Sequence, residues 1–135
     1  MGPTVAKSIG ERTEQLALQH LQTAGLQLID RNFRCRVGEI DLVMLDVNCL
    51  VFVEVRCRKS GRHSSARVPA PRFPSAIQSI GPHKQQKLTK AALFFLAKHK
   101  RWRNHTVRFD VVAYDGPAPD QYRLQWIKDA FRPGS

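Results

Sequence analysis

Residues 38–58, GEIDLVMLDVNCLVFVEVRCR, constrain this chain more than any other stretch. Two apolar runs, Ile40 to Leu45 and Leu50 to Val55, flank a short polar break at Asp46–Asn48 and read as two strands of a β-hairpin. Each run carries carboxylates where a buried strand ordinarily places aliphatics. Strand side chains alternate faces, so Glu39 and Asp41 are expected on one face and Ile40, Leu42 and Met44 on the other. In the second run Glu54, Arg56 and Arg58 share a face opposite Val51, Val53, Val55 and Cys57. Pairing the runs would bring two carboxylates and a guanidinium to one spot.

With 135 residues the chain suits one domain, 1–135. It holds 22 Lys plus Arg against 11 Asp plus Glu, a formal net charge of +11, which calls for an anionic partner. No acidic residue lies between Glu54 and Asp110, so one sign of charge covers the middle of the chain. Cys35, Cys49 and Cys57 form no CxxC pair and read as reduced thiols in or near the core. The first residues lack the apolar segment of a signal peptide, and the apolar run Ala91 to Ala97 is far short of a membrane span. The expectation is a cytoplasmic protein with no membrane partner.

Ser8 and Glu11 have capping-box spacing and predict a helix running to Ala24, stopped by Gly25. Ala17, Leu18, Leu21 and Ala24 make its apolar stripe, and Glu14 stands one turn earlier on the same stripe. Glu14 therefore faces the sheet, or stays wet near the helix start and favours its dipole. Leu26 to Phe33 reads as a strand, and Arg31, Arg34 and Arg36 then bring basic charge to the loop entering GEIDLV, for solvent or for phosphate. Residues 59–83, rich in Ser, Pro and Arg, predict a long basic mobile loop with a short helical turn near Ser75 to Ser79.

Gly81-Pro82 opens a second helix that ends near Lys100, with Leu88, Ala91, Ala92, Phe95 and Leu96 as its core face. Phe94 and Phe95, set within an aliphatic run, read as core ahead of base-stacking platforms. Lys84 and Lys87 sit in the first two turns, where the dipole disfavours cations unless an anion binds there, and they also read as ordinary solvated lysines. Val107 to Tyr114 predicts a strand, Tyr122 to Ile127 an edge strand, and Lys128 to Phe131 a closing turn. The order α-β-β-β-α-β-β is that of an α/β fold, a mixed β-sheet flanked by helices.

Asp41, then Glu54 thirteen positions on, then Arg56 after one residue, is the spacing of metal-dependent nucleases of the (D/E)xK class. Mg²⁺ or Mn²⁺ takes carboxylate oxygens, keeps water, and offsets charge that builds on a phosphate. The same spacing also arises in structural ion pairs.

Gly10, Glu14-x-x-Ala17-x-x-x-Leu21, Gly25, Arg31-Asn32, Arg34, GEIDLV at 38–43, VFVEVR at 51–56, Arg58, SIGPHK at 79–84, Ala91-Ala92 and RFDVV at 108–112 together resemble the YraN family of small bacterial proteins. The resemblance implies the restriction-endonuclease-like fold shared with archaeal Holliday junction resolvases. It implies Glu14, Asp41, Glu54 and Arg56 as catalytic positions. The metal would be held by Asp41, Glu54 and the Val55 carbonyl, and Glu39 is either a further ligand or an ion-pair partner of an arginine. Arg34, Arg36, Arg58, Lys84 and Lys87 are the candidate nucleic-acid contacts, DNA ahead of RNA. Resolvases of this shape work as two-fold dimers, so a homodimer is also implied, although no residue here marks its face. Arg56 departs from the pattern, which has lysine there. Arginine cannot accept a proton, so it would hold phosphate instead, with Lys84 or Lys87 as a substitute ammonium. Three readings follow: a Mg²⁺- or Mn²⁺-dependent endonuclease on structured or branched DNA, a nucleic-acid-binding protein that keeps the fold without turnover, and, more remotely, an assembly partner whose basic loop orders on an acidic protein surface.

Overall fold

In the computed structural model, which describes residues 9–59, 80–116, 121 and 123–133, helix α1 (Ile9–Thr23) leads into strands β1 (Gln27–Cys35), β2 (Gly38–Asp46) and β3 (Cys49–Lys59). Helix α2 (Pro82–Lys98), a 3₁₀ turn (Lys100–Trp102) and strands β4 (Thr106–Gly116) and β5 (Arg123–Phe131) complete the order. The expected cap at Ser8, the helical turn at 75–79 and loop residues 60–79 lie outside the described residues. The five strands form one mixed sheet in the order β1-β2-β3-β4-β5. β1, β2 and β3 meander antiparallel, β4 lies parallel to β3, and β5 returns antiparallel along β4. A parallel neighbour needs a crossover, and the segment carrying α2 supplies it.

Both faces of the sheet are covered, which is why its central strands read as continuous apolar runs. On one face α1 sets Ala17, Leu18 and Leu21 against Leu42, Met44, Val51, Val53 and Val112. On the other, Leu88, Ala91, Ala92 and Phe95 of α2 pack on Phe33, Ile40, Val43, Leu50, Phe52 and Phe109. Phe95 meets Phe33 and Phe52 edge-on at 5.2 and 5.7 Å between ring centroids, an arrangement favoured by the ring quadrupoles. Phe52 is buried at the centre, so its truncation to alanine would cost about 3–5 kcal/mol.

The end of α1 fixes how the chain enters the sheet. Gly25 takes φ +103°, its N–H bonds the Gln22 carbonyl at 2.9 Å, and the Leu26 N–H bonds the Leu21 carbonyl at 3.0 Å. This is the Schellman pattern, with Leu21 and Leu26 burying the accompanying apolar contact in the α1-side cluster.

The structure corrects five expectations. Ala24 is exposed, because it sits in the stop and not on the stripe. Phe94 is 40% exposed while Phe95 is buried, since neighbouring positions on a helix point about 100° apart. The second helix ends at Lys98, because His99 leaves helical geometry at φ −119° and ψ 78°, and Lys100 to Trp102 form a separate 3₁₀ turn. Lys128 to Phe131 belongs to β5: a register shift between Phe109 and Val111 accommodates Asp129 at φ +55°, and Phe131 pairs with Phe109. Finally, Ile40 lies on the α2 face while Leu42 and Met44 lie on the α1 face, so the alternation of β2 breaks at Asp41–Leu42.

Candidate active site

That break opens the sheet. β2 and β3 pair in register from Asp46↔Cys49 to Leu42↔Val53 and then part. Beyond the parting, Asp41 Oδ2 accepts the Val55 N–H at 2.8 Å, so a side chain takes over where the ladder stops. Asp41 is 8% exposed and Glu54 6%.

β3 keeps its alternation. Leu50 and Phe52 face α2, Val51 and Val53 face α1, and Glu54 therefore emerges on the α2 side. There its Oε2 meets Arg56 Nη1 at 3.3 Å and Lys84 Nζ at 3.6 Å. Lys84 is in the first turn of α2, so the cation that the dipole disfavours is offset by a buried carboxylate. Glu14 comes from α1 on the opposite face, where Asp41 and Asn32 are near enough to act on its charge.

Charges at the fork are unevenly matched. Burial pushes the Asp41 carboxyl up to about 8, the Glu54 charge adds to this, the Val55 N–H opposes it, and Glu14 and Glu39 raise it further. Burial also raises Glu14, against the pull of Arg31. Glu39 pairs with Arg34 at 3.2 Å. Among the described residues no cation pairs with Asp41.

A second buried aspartate shows the contrast. Asp110 of β4 receives Arg108 through two bonds of 2.9 and 3.1 Å, the Trp126 indole N–H at 2.9 Å and the Asp129 N–H at 3.0 Å. Arg108 also reaches Asp46 at 3.0 Å. Both Asp110 oxygens are satisfied, and the group ties β5 and the β2–β3 hairpin to β4.

Glu54 and Glu14 therefore both bear electrostatically on Asp41, and Arg56 and, from α2, Lys84 pair with Glu54. Four of the five candidate nucleic-acid contacts, Arg34, Arg36, Lys84 and Lys87, line one cleft of about 500 Å³ together with Glu39. The Arg58 side chain lies outside the described residues. Sequence reasoning passed over two residues. Asn32 takes φ +55°, which asparagine tolerates, and so reaches Glu14. Trp126 donates to Asp110 from β5.

Among the described residues no group of three or more His, Cys, Asp or Glu is spaced as a metal cage. The donor set fits Mg²⁺ or Mn²⁺ on other grounds, since such ions bind through one or two carboxylates and keep water. The Glu54 charge raises the cost of ionising the buried Asp41, and a cation at Asp41 would relieve it.

A mixed sheet covered by helices on both faces, with buried carboxylates at a strand fork, defines an α/β protein whose topology agrees with the restriction-endonuclease-like arrangement. The sequence matches the uncharacterised protein family UPF0102 over residues 13–114, and the chain belongs to that family, the YraN family. A UPF0102 protein of Stutzerimonas stutzeri is 48% identical over 126 residues, covering 93% of this chain and 96% of the relative. One from Pseudomonas putida is 48% identical over 122 residues, covering 90% and 91%. One from Pseudomonas syringae is 44% identical over 131 residues, covering 97% and 98%. No helix among the described residues is long and apolar enough to cross a membrane.

Proposed function

We propose that the protein is a divalent-cation-dependent endonuclease that hydrolyses phosphodiester bonds in structured or branched DNA. The observation that supports this reading is Asp41, buried beside Glu54 and Glu14 and paired with no cation among the described residues. A structural ion pair would supply a cation, as Arg108 does for Asp110. A Mg²⁺ or Mn²⁺ ion held by Asp41, Glu54 and the Val55 carbonyl would supply Lewis acidity towards phosphate and water, and Glu39 is taken up by its ion pair with Arg34.

The remaining roles belong to the chain itself. Glu14 adds a second negative charge close to Asp41, while the Val55 N–H holds the Asp41 carboxyl in the fork. Arg56 stays protonated, so it donates to phosphate oxygens and cannot take a proton from the attacking water. Lys84 adds a mobile ammonium on the same side of the sheet. Incubating the protein with Mg²⁺ or Mn²⁺ and single-stranded, duplex, flap and four-way substrates tests the reading. Cleavage should occur on the branched substrates and vanish in Asp41→Ala; activity that survives that substitution would overturn the proposal.

A second reading is favoured by one observation: both nearby cations, Arg56 and Lys84, are engaged by Glu54. On it, the protein binds nucleic acid without turnover. Binding would then weaken steeply with salt and survive chelation, and metal-dependent cleavage would exclude it.

A further inference from the structure

An aromatic ring lies next to the cleft, reached through one of its lining arginines. Lys84 and Glu39 belong both to the cleft and to the carboxylate site: Lys84 pairs with Glu54, and the Glu39 charge is felt by Asp41. At the other end, Arg36 lines the cleft and its guanidinium carbon lies 6.0 Å from the centre of the Phe94 ring. Phe94 is seven positions beyond Lys87 on α2, two helical turns further along the same face. It is 40% exposed, unlike the buried Phe95 beside it. Among the described residues, Arg36 and Lys87 pair with no carboxylate, which leaves their charge available to an anion.

We infer that Phe94 and Arg36 form a stacking platform for an unpaired nucleobase, so that the strand entering the site is single-stranded or carries a single-stranded arm. The inference rests on the nucleic-acid reading above and narrows its substrate. An aromatic face beside cations that track a backbone is how single strands are held without regard to sequence. The dimensions agree. A base stacked on both partners needs about 6.8 Å between their planes, twice the roughly 3.4 Å stacking distance, and the Arg36 guanidinium carbon lies 6.0 Å from the ring centre, a separation of the same order. Phe94 lies ten residues along α2 from Lys84, about 15 Å at 1.5 Å per residue, and a stacked strand covers that in about four nucleotides. Paired bases within a duplex offer no free face to the ring.

Three 12-nucleotide ligands of about equal charge test this: a single-stranded oligothymidylate, the same backbone with abasic sites throughout, and a duplex of equal phosphate count, each followed by fluorescence anisotropy. Phe94→Ala should weaken oligothymidylate binding about tenfold and leave abasic and duplex affinities unchanged. Phe94→Leu, which keeps an apolar side chain, should weaken it similarly, and Phe94→Trp should restore it. Equal affinity of the parent and Phe94→Leu for oligothymidylate, or equal losses on the abasic strand, would overturn the platform while leaving the nucleic-acid reading intact. A parent that binds none of the three would overturn both.

Discussion

Asp41 Oδ2 accepts the Val55 N–H at 2.8 Å, at the point where the β2–β3 register would otherwise place Ile40 opposite Val55. A carboxylate has replaced a backbone carbonyl as the acceptor, and its second oxygen is left beside Glu14 and Glu54. Glu54, one residue before Val55, leaves on the α2 face. Two buried carboxylates thereby flank the opening between two strands, close enough for the Glu54 charge to act on Asp41.

Removing the Asp41 charge should stabilise the fold in alkaline solution. Its folded-state value, about 8, lies above the ordinary 3.8, so between these the folded protein holds a proton that the unfolded chain does not. The resulting stability is fully present below the ordinary value and is lost as pH rises through the folded one. Asp41→Asn keeps an acceptor for Val55 and has no charge to bury. Urea melts should show the variant more stable than the parent near pH 9, by at most about 6 kcal/mol, with the difference closing towards about pH 4.

Asp110 should respond in the opposite sense. Its charge is matched by Arg108, and its oxygens also hold Trp126 and the Asp129 N–H. Asp110→Ala leaves Arg108 without its closest partner and unties β5, at a cost of about 3 kcal/mol. Thermal melts at neutral pH would check it, and affinity for nucleic acid measured below the transition should be unchanged.

The hairpin turn stores strain. Val47 is at φ +58°, a β-branched residue in the left-handed region, and its side chain is 83% exposed. Glycine adopts that backbone freely, and no packed contact is lost. Val47→Gly should raise stability by about 1 kcal/mol, read as an increased urea midpoint with unchanged slope.

Arg56→Lys tests the departure from the nuclease pattern. Lysine reaches Glu54 from the same face and, unlike arginine, can surrender a proton. Single-turnover cleavage of a flap substrate should rise about tenfold or more, while Arg56→Ala should lower substrate affinity.

Much of this was legible in the residues. Apolar periodicity gave the helices and strands because both sheet faces are buried, and the position of Glu14 on the α1 stripe placed it against the sheet. The break in β2 was not legible. Strict alternation predicts Leu42 and Met44 beside Ile40, and only the tertiary pairing with β3 shows the chain switching faces at Asp41. Phe94 was misjudged for a related reason: an aliphatic run signals burial, but only one stripe of α2 can face the sheet. Nothing local distinguishes Asp110 from Asp41, since each sits in an apolar strand. Their difference lies in partners from distant elements, Trp126 and Asp129 for one, Glu14 and Glu54 for the other.

Calorimetric titration of the protein with Mn²⁺ at about pH 8.5, repeated in buffers of different ionisation enthalpy, tests the central claim most directly. If Asp41 and Glu54 form a cation site, about one ion binds per chain with release of protons, and Asp41→Asn and Glu54→Gln each weaken binding by about tenfold or more. Equal Mn²⁺ affinity and equal proton release in the parent and in both variants would contradict it.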